Sequence, residues 1–342
     1  MLGAIGKLYG FIADVRNTLY DRGVFKSYSL GARTISIGNI TTGGTGKTPL
    51  VAYVANMLAE SGEKVCILTR GYGRQNPRDR VIVSDGTNVL VDARTGGDEP
   101  VELARKLVGK AIVVADADRV AAAAWAKEKF GITVFVLDDG FQHRRAKRDL
   151  DIVCIDATNP FGNGRILPGG TLREPLENLK RADALVITRS NLVESTDEIT
   201  RKLRRVNASG LIFESKLKHS RAADLREFLS ASYSGLMDKI GERSRVFAFC
   251  ALGNPDNFVS HLEHQGFGVA GFKHFPDHHE YLQSDIDQLE ADARAKHLLS
   301  LITTGKDAVK LSGLKFTLPC YVAEMDLLIN DPESFRDLVL SV

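Results

Sequence analysis

Paired cysteines are missing from this chain of 342 residues. Its four cysteines, Cys66, Cys154, Cys250 and Cys320, lie far apart and form no C-x-x-C, which argues against metal delivery through thiol pairs. Three of them stand in apolar, strand-like runs, so they are expected to be buried reduced thiols of a cytosolic protein. Charge of one sign is also scarce: the net charge is +2, too little for a nucleic-acid footprint, and no nucleic-acid partner is expected. No apolar run is long enough to span a bilayer, and Lys7, Asp14 and Arg16 interrupt the first segment, so it does not read as a cleavable signal. Repeats and low-complexity tracts are absent as well. What remains is an ordinary globular composition, with a length that accommodates two domains.

The chain alternates strand and helix patterns. Near-continuous apolar runs at 33–37, 64–69, 111–115, 133–138, 151–156 and 183–188 predict strands buried on both faces of a parallel sheet. Helical spacing lies between them at 47–60, 99–107, 117–129 and 195–206. An Asp85-Gly86 turn between Val81-Ile-Val83 and Val89-Leu-Val91 predicts an inserted hairpin. The pattern restarts with strands near 245–249, 267–272, 298–303 and 319–323 and helices near 255–265, 285–296 and 332–341. Segments 210–220 and 316–328 read as extended connectors between two α/β units. At the start, Leu2, Ile5, Leu8, Ile12, Val15 and Leu19 recur at helical spacing, widened by Tyr9 and Phe11. Lys7, Arg16, Arg22, Lys26 and Arg33 exceed Asp14 and Asp21 by three charges. Such a helix can lie at an anionic membrane interface or pack on the protein's own core.

Residues 38–49, Gly-Asn-Ile-Thr-Thr-Gly-Gly-Thr-Gly-Lys-Thr-Pro, carry the chemistry. A β-branched strand precedes them and a helical pattern follows, which is the context of a phosphate-binding loop. Backbone N–H groups of Thr42, Gly43, Gly44, Thr45 and Gly46 can curl around a polyphosphate, aided by the helix dipole. Lys47 would reach the β/γ-phosphates and Thr48 would ligate Mg²⁺. Thr41 stands where the usual pattern has its first glycine. Asp138-Asp139-Gly140-Phe141-Gln142-His143 ends the 133–137 strand, and two aspartates there are costly to bury without a cation, so Asp138 is expected to share the Mg²⁺ with Asp139 beside it. Gly96-Gly97-Asp98-Glu99-Pro100 suggests acids at a helix N-terminus. Phe275-Pro-Asp-His-His-Glu-Tyr281 has too few ligands for zinc. Its histidines could serve catalysis or sit in a surface loop.

Taken in order, these segments resemble the tetraacyldisaccharide 4′-kinases, the lipid A kinases of Gram-negative bacteria. So do Thr69-Arg-Gly-Tyr72, Asn163-Gly-Arg165, Leu172-Arg-Glu-Pro175 and Thr304-Gly-Lys-Asp-Ala-Val-Lys310. Gly170-Thr171 differs, since a proline is expected there. The resemblance implies transfer of the ATP γ-phosphate to the 4′-hydroxyl of a tetraacylated glucosamine disaccharide 1-phosphate, giving lipid IVA. It implies a P-loop α/β/α sandwich with a second smaller α/β domain joined by a two-stranded linker. The expected spans are a membrane-associating helix at 1–25, a kinase core at 26–209, linker segments 210–220 and 316–328, a second domain at 221–315 and a C-terminal helix at 329–342. The family acts at the cytoplasmic face of the inner membrane. By the same resemblance Asp98 is the base for the acceptor hydroxyl, with Lys47 stabilising the transferred group. His278 is its partner and His279 the substitute. Arg70, Tyr72, Glu99, Arg119, His143, Arg165 and Arg173 are expected to grip substrate. The competing classes are a P-loop nucleotide switch or metallochaperone GTPase, and a non-catalytic membrane-associated binding protein. The first lacks a guanine-reading Asn-Lys-x-Asp, and the second would not need Asp98, Asp138 and Asp139 together.

Overall fold

The computed structural model describes residues 2–230 and 244–342, without the side chains of residues 2–4, 7 and 219–221. Leu2 of the expected apolar face, Lys7 of its basic rim, and residues 231–243 of the expected second domain therefore lie outside the described set.

The first half runs α1 (Leu2–Asp21), β1 (Arg33–Asn39), α2 (Lys47–Glu60), β2 (Val65–Thr69), β3 (Val81–Ser84), α3 (Ala93–Gly96), α4 (Asp98–Lys106), β4 (Ala111–Ala115), α5 (Arg119–Phe130), β5 (Val134–Asp138), β6 (Leu150–Asp156), β7 (Ala184–Thr188) and α6 (Asp197–Val206). The second runs β8 (Leu211–Asp224), α7 (Leu225–Leu229), β9 (Arg245–Cys250), α8 (Pro255–His264), β10 (Gly268–His274), α9 (Gln283–Ala295), β11 (Leu301–Thr304), α10 (Gly305–Ala308), β12 (Cys320–Ile329) and α11 (Pro332–Leu340). Among the described residues these strands form one twelve-stranded sheet, ordered β10-β9-β11-β12-β8-β7-β6-β1-β5-β2-β4-β3.

The apolar runs become the central strands because both faces of the sheet are covered. Every residue of β2, β4, β5, β6 and β7 is buried. α2 buries Leu50, Val54 and Leu58 completely, each contributing about 1.5–3 kcal/mol. Pro49 fits its first turn, where no backbone donor is needed. One core begins at Ile35 and Leu50, passes Phe213 and Ala223, and reaches Leu301 and Phe335. The two halves thus share an interior on that face.

β8 is the joint. Leu211–Glu214 pair in parallel with β7, whereas Ser215–Asp224 pair antiparallel with β12. That antiparallel pairing extends four residues beyond the expected 210–220 connector, and its partner begins at Cys320 rather than at 316. It reverses the strand direction between halves. In a flat sheet the carboxyl ends of β9 and β11 would then point away from those of β1 and β5. Instead Lys306, just after β11, lies 3.9 Å from Asp98 at the start of α4, so the pair turns one half over the other. The expected hairpin is reduced to β3, a single bridge from Ser84 to Val89 and a Leu90 N–H donated to the Val83 carbonyl at 2.8 Å.

α1 settles its own orientation. Small and polar residues make its contacts: a Cβ at Gly6 would come within 2.9 Å of the Ile166 carbonyl oxygen, and Asn17 donates to Glu174 at 2.9 Å. The apolar residues face outward, with Phe11 65% and Leu8 60% exposed. The helix is therefore not packed on the core by its apolar face.

Candidate active site

The cradle forms where β1 ends. Asn39 donates to the Thr41 carbonyl at 2.6 Å, Thr42 N–H to the Thr171 carbonyl at 2.8 Å, and Thr188 Oγ1 to the Thr45 carbonyl at 2.8 Å. Arg189 donates to the Gly44 carbonyl at 2.7 Å and is ion-paired with Asp156. Gly43 and Gly46 adopt φ of +103° and +76°, which favour glycine. Thr41 makes an antiparallel bridge to Leu172. That bridge is isolated, beyond the end of β1, and Thr41 is not among the residues of positive φ, so a glycine is not required. Gly46 caps α2 without a side-chain hydrogen bond. The helix therefore offers its first N–H groups to an anion. Thr45 Oγ1 is buried without a partner beside them.

Beyond the loop, Asp138 accepts from Thr69 Oγ1 at 3.0 Å. Burial, with the negative charges of Glu99 and Asp139, pushes its carboxyl up to about 6. Asp139 sits at φ +54°. It takes Arg173 at 2.7 and 2.8 Å and has Lys47 at 3.7 Å. Burial alone would raise its carboxyl, but Lys47 and Arg173 outweigh that and hold it below the usual range. Among the described residues, no three His, Cys, Asp or Glu side chains converge to hold a metal by themselves. That suits Mg²⁺, which is ordinarily bound through one or two carboxylates together with phosphates. The raised Asp138 carboxyl marks a place where a cation would relieve crowded negative charge.

Across the cleft, His278 and Asp98 meet at 2.9 Å between Nδ1 and Oδ2. Burial pushes the Asp98 carboxyl up, yet His278, Lys306 and Lys310 together bring it below its ordinary value. The same hydrogen bond raises His278 against its partial burial. An ionised carboxylate only accepts, so the shared proton belongs to Nδ1. His278 holds φ +62° in the turn after Pro276 and contacts the Tyr72 ring at 5.2 Å. His279 turns the other way: it bonds Asp285 at 3.0 Å and stacks on Phe275. His278 is thus the histidine that reaches Asp98.

The phosphate loop, the two aspartates and His278 border one cleft of about 940 Å³. Its wall includes residues 42–48, Arg70, Tyr72, Glu99, Arg119, Asp138, Asp139, His143, Arg173 and His278. Asp98 stands just behind His278, with Oδ1 accepting from Glu99 N–H at 2.9 Å. His143 is kept neutral, pushed down to about 4 by burial and by Arg119 and Arg148. Arg173 is held by Asp139. Arg165 lies outside the wall, exposed on its loop, where its carbonyl accepts from Leu172 N–H at 3.1 Å and its own N–H donates to Asn163 Oδ1 at 3.1 Å.

Two groups were not assigned roles from sequence. Lys306, largely buried, lies 2.9 Å from Asp277, 3.4 Å from Glu99 and 3.9 Å from Asp98. It ties the acid to the histidine turn across the halves. Arg189 holds the phosphate loop. Their signals were present as Thr304-Gly-Lys-Asp and Thr188-Arg, each a basic residue within two positions of a strand's end.

A polyphosphate cradle that looks across a cleft at an acid–histidine pair is the arrangement of a P-loop phosphotransferase. The family described as tetraacyldisaccharide-1-P 4′-kinase matches residues 1–342, and the chain belongs to that family. A tetraacyldisaccharide 4′-kinase of Halothermothrix orenii is 40% identical over 320 residues, covering 91% of this chain and 83% of its own length. One from Desulfotalea psychrophila is 37% identical over 338 residues, covering 98% and 94%. The crystal structure of the "apo" form of LpxK from Aquifex aeolicus in complex with ATP superimposes with a TM-score of 0.78 at 33% identity, covering 99% of this chain and 97% of that one. These matches do not favour the nucleotide-switch or metallochaperone alternative.

Proposed function

We propose that this cleft transfers the γ-phosphoryl group of ATP to the 4′-hydroxyl of a tetraacylated glucosamine disaccharide 1-phosphate, giving lipid IVA and ADP. The observation that carries the reading is that Lys47 in the phosphate cradle and His278, bonded to Asp98 behind it, border the same cleft. The hydroxyl oxygen forms the new P–O bond as the bond to the ADP oxygen breaks. The hydroxyl proton passes to the Asp98–His278 pair. Lys47 and the loop N–H groups neutralise charge on the transferred group, the main task in phosphoryl transfer. Thr48, Asp138 and Asp139 would hold Mg²⁺, which supplies charge neutralisation when bound. Arg70, Arg119 and His143, all in the wall, are placed to contact phosphate or sugar. The test is transfer of radiolabelled γ-phosphate to the lipid disaccharide 1-phosphate in detergent micelles. Labelled lipid is expected, and a folded protein that binds ATP but labels no lipid would overturn the reading.

The acceptor's acyl chains call for an apolar route, and α1 offers one. Tyr9 and Ile12 border the cleft while Leu8, Phe11 and Val15 face outward. Among the described residues no helix is long and apolar enough to cross a membrane. We propose that α1 instead lies in the cytoplasmic surface of the inner membrane, where ATP and lipid meet. Burying two large apolar side chains is worth about 1.5–3 kcal/mol each. Leu8→Glu with Phe11→Glu should therefore weaken co-sedimentation with anionic phospholipid vesicles by about tenfold or more. Unchanged binding would count against this placement.

A further inference from the structure

The turn that follows β11 carries two lysines on one face. Thr304 Oγ1 caps α10 by accepting from Asp307 N–H at 3.1 Å, and the turn continues as Lys310 N–H donates to the Asp307 carbonyl at 2.9 Å. Lys306 and Lys310 are four residues apart, so their side chains leave on the same side. Each ammonium stops 3.9 Å from Asp98 Oδ2. That is beyond a hydrogen bond but close enough for one charge to act on another. The bonding place on that oxygen belongs to His278 Nδ1, at 2.9 Å.

The two lysines differ in what else they meet. Lys306 borders the cleft and spans Asp277 and Glu99. Lys310 lies outside the cleft wall, largely buried, so it can act on the reaction only through Asp98. Its anchor is Asp307 Oδ1 at 2.9 Å. Asp307 is wholly buried, and its other oxygen accepts from Ala251 N–H at 3.0 Å and Thr304 Oγ1 at 2.8 Å. Lys310 also lies over the Tyr281 ring at 5.3 Å. Yet among the described residues its buried ammonium makes no well-directed hydrogen bond. Burying a cation that way is costly, and what it supplies at Asp98 is charge.

The other groups around the pair explain why that charge matters. Glu102, further along α4, is already paired with Lys106 at 2.7 Å. Tyr72, whose ring contacts His278, brings no negative charge at neutral pH. Burial pushes the Tyr281 hydroxyl far up and the Cys250 thiol up to about 12, so both stay neutral. Beyond Asp98 itself, that leaves Glu99, Asp277 and Asp307 against Lys306 and Lys310. Without Lys310 the acids would prevail, and the pair would keep its proton to higher pH.

We propose that Lys310 is a positioning residue for proton removal: anchored at Asp307 and seated on Tyr281, it holds Asp98 ionised while leaving the bonding place on Oδ2 to His278. The proposal rests on the kinase reading for the reaction that the pair serves.

The test compares two uncharged variants, Lys310→Met and Lys310→Gln, with Lys310→Arg, which keeps the charge. For each full-length variant the pH profile of kcat/KM is measured for lipid phosphorylation. The isotope-labelled ring of His278, assigned by its loss in His278→Ala, is titrated by NMR without lipid. Removing a nearby cation favours the protonated pair. In the uncharged variants the acid limb and the ring titration should therefore both move up by about one pH unit, the low end for a charge at this distance. Turnover should recover on the alkaline side, and Lys310→Arg should hold both readings near the wild-type position. A lysine that is only structural would lower activity at every pH and leave limb and ring in place, which would overturn the proposal. So would failure of both uncharged variants to fold. A wild type that phosphorylates no lipid would sink the kinase reading instead, and the ring titration would still decide whether Lys310 acts on the pair.

Discussion

Asp98→Asn should lower kcat by about 10²- to 10⁴-fold, the range of a lost general base, while leaving the KM for ATP within twofold. Asparagine keeps the shape but cannot take the hydroxyl proton or raise His278. An isolated carboxylate below its usual range would be a poor base near neutral pH. Here it titrates with an imidazole 2.9 Å away, so the pair takes up its proton with a value above the ordinary 6.5 of histidine. The pair must be unprotonated to accept the hydroxyl proton. Activity therefore falls as pH drops through that raised value, and the acid limb of kcat/KM should lie above pH 6.5. In Asp98→Asn the counter-charge is gone, so the limb of the residual activity should move to lower pH. A limb that stays put in the variant would assign it to another group and remove Asp98 from the proton path. His278→Ala should likewise cost turnover more than ATP affinity.

Most of the local structure was legible because it rests on periodicity. The strands of the first half are buried on both faces, so their apolar runs stand out, and β4 and α2 begin and end at the expected residues. The ordered motifs located the phosphate loop and the two aspartates for a local reason, since each sits directly after a strand end. What was not legible depends on contacts between distant segments. The turn made by β8 and β12 brings Lys306 beside Asp98, across more than two hundred residues, and no window of sequence contains both. Nor could spacing alone say which way the apolar face of α1 points. That depends on Gly6, Gly10 and Asn17 meeting the 163–178 segment. Choosing between His278 and His279 required the turn at φ +62°, which sends neighbouring rings in opposite directions. Arg165 was expected to grip substrate on the strength of its motif, but the loop uses that residue's backbone and leaves its side chain outside the wall.

Lys47→Met should cost about 10²–10³ in kcat, the effect of deleting one preorganised group that meets developing charge. The lysine sits at the first position of α2, largely buried, 3.7 Å from Asp139. Its stem is fixed by the helix, and its ammonium is poised between the loop and the acids. Methionine keeps the stem and removes the charge. Asp139 would then be left to Arg173 alone, and the negative charge that already crowds Asp138 would lose a counter-charge. The defect should appear mainly in kcat if Lys47 meets the γ-phosphoryl group in flight, and mainly in KM if it only holds the ground state. Lys47→Arg is not expected to rescue, because a planar fork does not replace a compact point charge in a tight loop. Arg165→Ala supplies the contrast. Its side chain is exposed outside the cleft wall, so steady-state kinetics with ATP and the lipid acceptor should match wild type within twofold. A large loss at Arg165 would mean that the 163–172 loop moves onto the substrate. A small loss at Lys47 would mean that the loop N–H groups carry the phosphate charge without it.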